Sequence, residues 1–325
     1  MADNSNMEEM LDNFPNQCKE ALSLAKDKKI LVEIDNIIIT GMGGSAIPGD
    51  ILKSYLSDLK KPVIVNRDYS LPEFISPKSL VFALSYSGNT EETISAYRNA
   101  LRKGCQIVAV SSGGKLEELS AMNKNIFIKI PSGLQPRAAT GYLLISMVGI
   151  LQNSRIIDDK TSEIKKMISV LKKPNYKKMG EEFASRLVNK IPIIYSSQRY
   201  MPAAMKWKTD INENSKCHAF FNTFPEFNHN EIVGFTELKA DYFVIIIRDD
   251  DEHKQIKKRM DIIKELIKKK GVPVTELNIT GDSYLTKLLS ALYIGNWVGY
   301  FLAQEYDVDP APVVIIEKLK EMLKH

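Results

Sequence analysis

The chain has 325 residues, of which 44% are hydrophobic and 26% charged, with 44 Lys+Arg against 40 Asp+Glu. That apolar content excludes a disordered chain, because enough surface can be buried to offset the ordering entropy. The net charge of +4, dispersed along the sequence, carries no nucleic-acid signature, and the longest apolar stretch, Ala138–Leu151, falls short of the roughly 20 residues a membrane span needs.

In chain order, Met1–Met10 is acidic and polar where a secretory signal would be basic and then apolar, so the cytoplasm is the expected compartment. Val32–Thr40 reads as a strand that ends in the glycine-rich loop Gly41–Gly44, followed by a helix through Ile51–Leu59. Further strands are expected at Pro62–Asn66, Leu80–Leu84, Gln106–Ser111 and Asn125–Ile130, with a helix over Glu91–Lys103. These strands are near-continuous apolar runs, the pattern of a parallel sheet covered by helices on both faces. Five of them with helical crossovers predict a doubly wound α/β domain. Its last helix, Ala138–Gln152, is apolar all round and so should be buried.

The polar, lysine-rich segment Asn153–Lys178, with Pro174, reads as a connecting helix and linker. A second α/β series follows: strands at Ile191–Ser196, Cys217–Asn222, Asp241–Arg248 and Val272–Asn278, with helices over Pro202–Asn214 and His253–Lys270. In the latter, Ile256, Met260, Ile263 and Ile267 form one apolar stripe, and the lysines opposite read as a solvated face. The chain closes with an apolar helix over Leu285–Glu305, a break at Asp307–Pro312 and a terminal helix to Lys324. The expected division is therefore residues 1–152 and 153–325.

Two loops carry the candidate chemistry. Gly41-Met42-Gly43-Gly44-Ser45-Ala46 lies between a strand and a helix, where backbone N–H groups and the helix dipole favour an anion. A dinucleotide site fits the glycines loosely, but the acidic residue that would grip a ribose is replaced by Asn66-Arg67; a simple tight turn is the other alternative. Ser85-Tyr86-Ser87-Gly88-Asn89-Thr90 gathers three hydroxyls at a helix N-terminus, where capping needs one. Together with free N–H groups they can surround a phosphate without lysine or metal. Cys18, Cys105 and Cys217 form no disulfide framework, and His218, His229, His253 and His325 show no ligand spacing. Cys217-His218 alone does not make a metal site, so neither metal nor cofactor is expected.

GMGGSAIPGD followed by SYSGNTEET resembles the sugar isomerase (SIS) domain. Gln135-Pro136-Arg137-Ala138-Ala139, Asn212-Glu213-Asn214, Phe227-Asn228-His229-Asn230-Glu231 and the terminal Asp309-Pro310 segment are similar to the bifunctional phosphoglucose/phosphomannose isomerases over about residues 30–325. The resemblance implies two SIS domains, the first with the phosphate loops and the second with the catalytic base and C-terminal helix. It implies a homodimer with a shared active site at the domain junction, and interconversion of glucose 6-phosphate and mannose 6-phosphate with fructose 6-phosphate. Residue by residue, it implies that Ser45, Ser85, Ser87 and Thr90 hold the phosphate while Gly43 and Gly44 allow its close approach. Arg137 would stand beside C1 and C2, Glu213 would be the base, and His229, from the neighbouring subunit, would assist ring opening. A C-terminal lysine, Lys320 or Lys318, would complete the set. Part of the family has threonine where this chain has Ala311. The alternatives are a non-catalytic phosphosugar-binding regulator, for which about 30 N-terminal residues are too few to form a DNA-reading module, and an amino-sugar phosphate isomerase.

Overall fold

A computed structural model describes residues 3 and 6–323. The helices α1 (Met7–Asp12) and α2 (Phe14–Leu24) come first, then β1 (Asn36–Thr40), α3 (Ile47–Tyr55), β2 (Val63–Asn66), β3 (Ser79–Leu84), α4 (Glu91–Arg102), β4 (Gln106–Ser111), α5 (Gly114–Met122) and β5 (Ile126–Lys129). After α6 (Thr140–Asn153), α7 (Thr161–Leu171) and α8 (Asn175–Leu187) come β6 (Ile191–Ser197), α9 (Met201–Asn214), β7 (Phe220–Phe224), β8 (Tyr242–Asp249), α10 (Lys254–Lys269), β9 (Val274–Ile279), α11 (Tyr284–Glu305) and α12 (Val314–Met322). Lys324, the expected end of the last helix, and His325 lie outside the described residues.

The chain forms two compact units: Asp12–Lys172 with Ser283–Thr286, and the stretch up to Leu11 with Lys173–Asp282 and the residues from Lys287 on. The division falls after Lys172, whereas the sequence pattern puts it after Gln152, because α7 packs on α2 and so belongs with the first sheet. Pro174 does not mark a linker: it is the N-cap of α8. There its fixed φ and missing N–H cost the helix nothing.

The first unit holds a five-stranded sheet in the order β2-β1-β3-β4-β5, with every pairing parallel. All six residues of β3 are buried, as an interior strand covered on both faces requires. Alternate residues divide between the faces: Val81 and Ala83 pack with Ala96, Tyr97 and Ala100 of α4 and Leu116 of α5. On the other face stand α2, α3 and α6, and α6 is buried from Thr140 through Leu151, as its all-round apolar sequence predicts. Each fully buried Ile, Leu or Val there is worth about 1.5–3 kcal/mol.

The second unit holds a four-stranded parallel sheet, β7-β6-β8-β9. Ile193, Tyr195, Val244 and Ile246 pack against Met260, Ile263 and Ile267 of α10, three members of the expected stripe. Helices α8, α9 and α11 meet through two glycines. A methyl group at Gly180 would lie 2.2 Å from Trp297 Cβ, and one at Gly295 would lie 2.1 Å from Trp207 Cδ1. Both tryptophans are fully buried, so their role is packing.

Candidate active site

In each sheet the strand order reverses beside the first strand: between β1 and β3 in the first, between β6 and β8 in the second. The crevice at the carboxyl ends of such strands is where doubly wound sheets bind ligands. The two crevices are built differently.

In the first, β1 runs into a 3₁₀ turn, Gly43–Ser45, and Gly43 takes a positive φ of +50°. A Cβ on Gly44 would fall 2.8 Å from Arg137 Cα and 3.0 Å from its N, so only glycine admits the Arg137 backbone here. Two motifs more than ninety positions apart thus meet. Arg137 is 4% exposed, and its Nη1 donates to Gln135 Oε1 at 3.4 Å.

Ser45 Oγ accepts from the Tyr86 amide at 3.1 Å, which ties the glycine loop to the hydroxyl loop. Ser85 and Thr90 share a hydroxyl–hydroxyl bond of 2.8 Å, and Ser85 Oγ also accepts from the Thr90 amide at 3.4 Å. Thr90 is the N-cap of α4 yet makes no side-chain capping bond. Its hydroxyl is turned to Ser85, so capping does not explain the cluster. Ser87 stands exposed, its Oγ accepting from the Asn89 amide at 3.3 Å. Gly88 makes the turn possible at φ +71°, where a Cβ would meet Gly113 O at 1.8 Å. Gly43, Gly44, Ser45, Ser85, Ser87, Thr90 and Arg137 are therefore all drawn into the same unit, at or beside one crevice.

Tyr86 is the member that motif reasoning passed over. Its hydroxyl donates to Pro131 O at 3.2 Å and accepts from the Leu134 amide at 2.6 Å, fastening the loop that leads into Arg137. Its carbonyl accepts from Ser112 N and Oγ at 2.9 and 2.8 Å. Burial pushes the phenol's pKa up, so it stays a neutral donor. At the end of β2, Arg67 pairs with the buried Asp50 of α3. Burial raises the Asp50 pKa, with Arg67 pulling against it. A cation held this way stands where a dinucleotide site needs a ribose-binding acid.

Near the strand ends of the second sheet, side chains bond to one another. Asp249 accepts from Tyr200 Oη at 2.6 Å and from Lys287 Nζ at 2.7 Å, and Lys287 reaches Asp251 at 2.5 Å. Ser197 donates to Glu252. Burial works to raise the Asp249 pKa, but the bonds from Lys287 and Tyr200 outweigh it and hold the carboxyl below its usual range. Burial pushes Glu252 up despite the Ser197 bond. Carboxylates repel a phosphate, so of the two crevices the first is the candidate for an anion.

Elsewhere in the second unit, Glu213 is half-buried in the last turn of α9. The helix end is pinned on several sides: Asn212 donates to Cys217 O at 2.8 Å, and Ser215 Oγ to Gly299 O at 2.8 Å. Lys216 Nζ bridges Glu213 O at 2.5 Å and Pro310 O at 3.1 Å. One and two turns back, Asp210 and Lys206 form a fully buried ion pair on the same face as Glu213. His229 closes the 3₁₀ turn Glu226–His229 with its ring exposed.

Lys320 and Lys318 both lie on α12, which has no buried residue, and neither has a hydrogen-bond or ion-pair partner among the described residues. Ala311 is 2% exposed and its amide donates to Asp309 at 3.1 Å. Among the described residues no group of three or more His, Cys, Asp or Glu side chains is arranged to hold a metal ion. No helix among them is long and apolar enough to cross a membrane.

Residues 30–133 match the family model "SIS domain", and residues 177–323 match "Bacterial phospho-glucose isomerase C-terminal SIS domain". The chain is 42% identical to the bifunctional phosphoglucose/phosphomannose isomerase of Caldicellulosiruptor bescii, over 98% of each chain. It is 36% identical to that of Aquifex aeolicus, over 97% of each. Among solved structures, tagatose-6-phosphate ketose/aldose isomerase from Escherichia coli shares the fold with a TM-score of 0.71 at 14% identity, covering 97% of this chain and 98% of that one. With two SIS domains and near full-length likeness to those relatives, the chain belongs to the bifunctional phosphoglucose/phosphomannose isomerase family.

Proposed function

We propose that this protein interconverts glucose 6-phosphate and mannose 6-phosphate with fructose 6-phosphate, without a metal, through a cis-enediol(ate). The observation that carries the reading is the first crevice. The hydroxyls of Ser85 and Thr90 bond to each other there, the Ser45 hydroxyl accepts from the Tyr86 amide of the same loop, and Gly44 brings the backbone of Arg137 against the glycine loop that carries Ser45.

Ser45, Ser85, Ser87 and Thr90 hold the phosphate with backbone N–H groups, Gly43 and Gly44 giving close approach. Aldose–ketose interconversion moves one proton between C2 and C1, so a single carboxylate, Glu213, takes it from one carbon and returns it to the other. Negative charge develops on the enediolate oxygens, and the fixed guanidinium of Arg137 stabilises it. His229 exchanges a proton with the ring oxygen during ring opening, and Lys320 completes the polar set around C1 and C2. Glucose and mannose forms differ only at C2. Presenting either face of one enediolate to Glu213 serves both.

A homodimer is part of the proposal. Its support is α12, where Val314, Ile315, Leu319 and Met322 are each more than half exposed, an apolar surface for a second copy to cover. The cytoplasm is the proposed compartment, supported by three free thiols, the usual state in a reducing environment.

The test supplies fructose 6-phosphate with a chelator present and quantifies both aldose phosphates. Both should accumulate at undiminished rate. No turnover, or turnover abolished by chelation, contradicts the reading.

A further inference from the structure

His229 has no hydrogen-bond partner of its own among the described residues, so its aim is set by the backbone that carries it. That backbone is fastened on both sides to one buried tyrosine. Two residues before the histidine, Phe227 stacks on the ring of Tyr195, with centroids 3.9 Å apart and planes 2° from parallel. Two residues after it, Glu231 Oε1 accepts from the Tyr195 hydroxyl at 2.7 Å. The other carboxylate oxygen, Oε2, accepts from Asn222 Nδ2 at 2.5 Å. Tyr195 of β6 and Asn222 of β7 are register partners, so both donors rise from the same place in the sheet. Between the anchors, Asn230 Oδ1 caps the next turn by accepting from the Glu231 amide at 2.5 Å, and its Nδ2 donates to Glu226 at 3.0 Å.

We infer that Glu231 is a positioning residue: by accepting from Tyr195 and Asn222 at once, it holds the His229 turn against the sheet and aims the imidazole at the sugar ring oxygen. This rests on the ring-opening role proposed for His229. Burial, and then the Glu231 charge, raise the Tyr195 pKa, so the phenol remains a donor across the working pH range.

A glutamine at 231 cannot accept from both donors. With Oε1 kept on Asn222, whose own Oδ1 is held by the Thr223 amide at 2.8 Å, its NH₂ must donate to the Tyr195 oxygen, which reverses that bond and takes from the buried phenol O–H the charged acceptor it has in Glu231. Tyr195→Phe is gentler, keeping the stack on Phe227 while removing one donor.

A misaimed ring-opening group harms only substrates that must open. Fructose 6-phosphate closes through its 5-hydroxyl, whereas 5-deoxyfructose 6-phosphate cannot form that ring and reaches the proton-transfer step already open. The full-length wild type, E231Q, Y195F and H229N are compared on both. In E231Q, kcat/KM for fructose 6-phosphate should fall by about 10–100-fold while that for the 5-deoxy substrate stays within about threefold. Y195F should show the same selectivity at smaller size, and H229N at larger size. Equal loss on both substrates in E231Q and Y195F, or no loss on either, overturns the positioning role. Failure of H229N to discriminate overturns the histidine reading instead, and an inactive wild type overturns the isomerase reading itself.

Discussion

Glu213→Gln is expected to lower kcat by about 10³-fold while leaving the binding of fructose 6-phosphate nearly unchanged. Glutamine keeps the size and one hydrogen-bonding oxygen but cannot carry a proton between C2 and C1. The position supports a clean result. Glu213 sits at a helix end held by Asn212, Ser215 and Lys216, over the buried Lys206–Asp210 pair, so the substitution should not disturb the backbone. Titration calorimetry with fructose 6-phosphate and steady-state rates on both aldose phosphates check it. A variant with more than about a tenth of wild-type kcat would remove Glu213 from the base role.

The second large effect belongs to Arg137. Replacement by Ala should cost about 10²–10³ in kcat, the scale for losing one preorganised group opposite a developing oxyanion. Arg137→Lys should recover little of it, because an ammonium cannot reproduce the fixed planar fork. The phosphate hydroxyls are untouched, so KM should move less than kcat. Gly44→Ala should lower kcat as well, since its methyl would press on the Arg137 backbone at 2.8 Å from Cα, and should also raise KM because Gly44 lines the phosphate's approach. If Arg137→Ala changed KM alone, the guanidinium would be a binding group and not the enediolate partner.

The strands and the two loops were legible because fully buried parallel strands write themselves as apolar runs, and β4 matches its expected span residue for residue. The cradle was legible because hydroxyls and glycines crowd into Gly41–Ser45 and Ser85–Thr90. What the pattern hides is local or long-range. Helix α5 starts on two glycines at positive φ, Gly113 and Gly114, which look like loop. Helices α1 and α2 mix acids, amides and a proline, so no apolar period announces them. Strand β7 begins at Phe220, three residues past the expected start, after Lys216 takes a positive φ of 58° and delays the extended backbone.

The connections that make a site out of motifs were the least visible. Tyr86 looks like one more aromatic in a hydroxyl run, and only the folded loop 131–137 gives its phenol two partners. Glu231 needs β6 and β7 side by side before its carboxylate has anything to accept. A sequence lists the donors, and the sheet order decides which of them meet.

Hydrogen exchange at C2 tests the central claim most directly. Fructose 6-phosphate is converted in D₂O, and the glucose 6-phosphate and mannose 6-phosphate formed are read by NMR. A single carboxylate that carries the proton from C1 to C2 also exchanges part of it with solvent, so both products of the wild type should carry deuterium together with transferred substrate hydrogen at C2, and Glu213→Gln should form either product about 10³-fold more slowly. Deuterated products formed by Glu213→Gln at the wild-type rate would show that another group moves the proton, and would contradict the account.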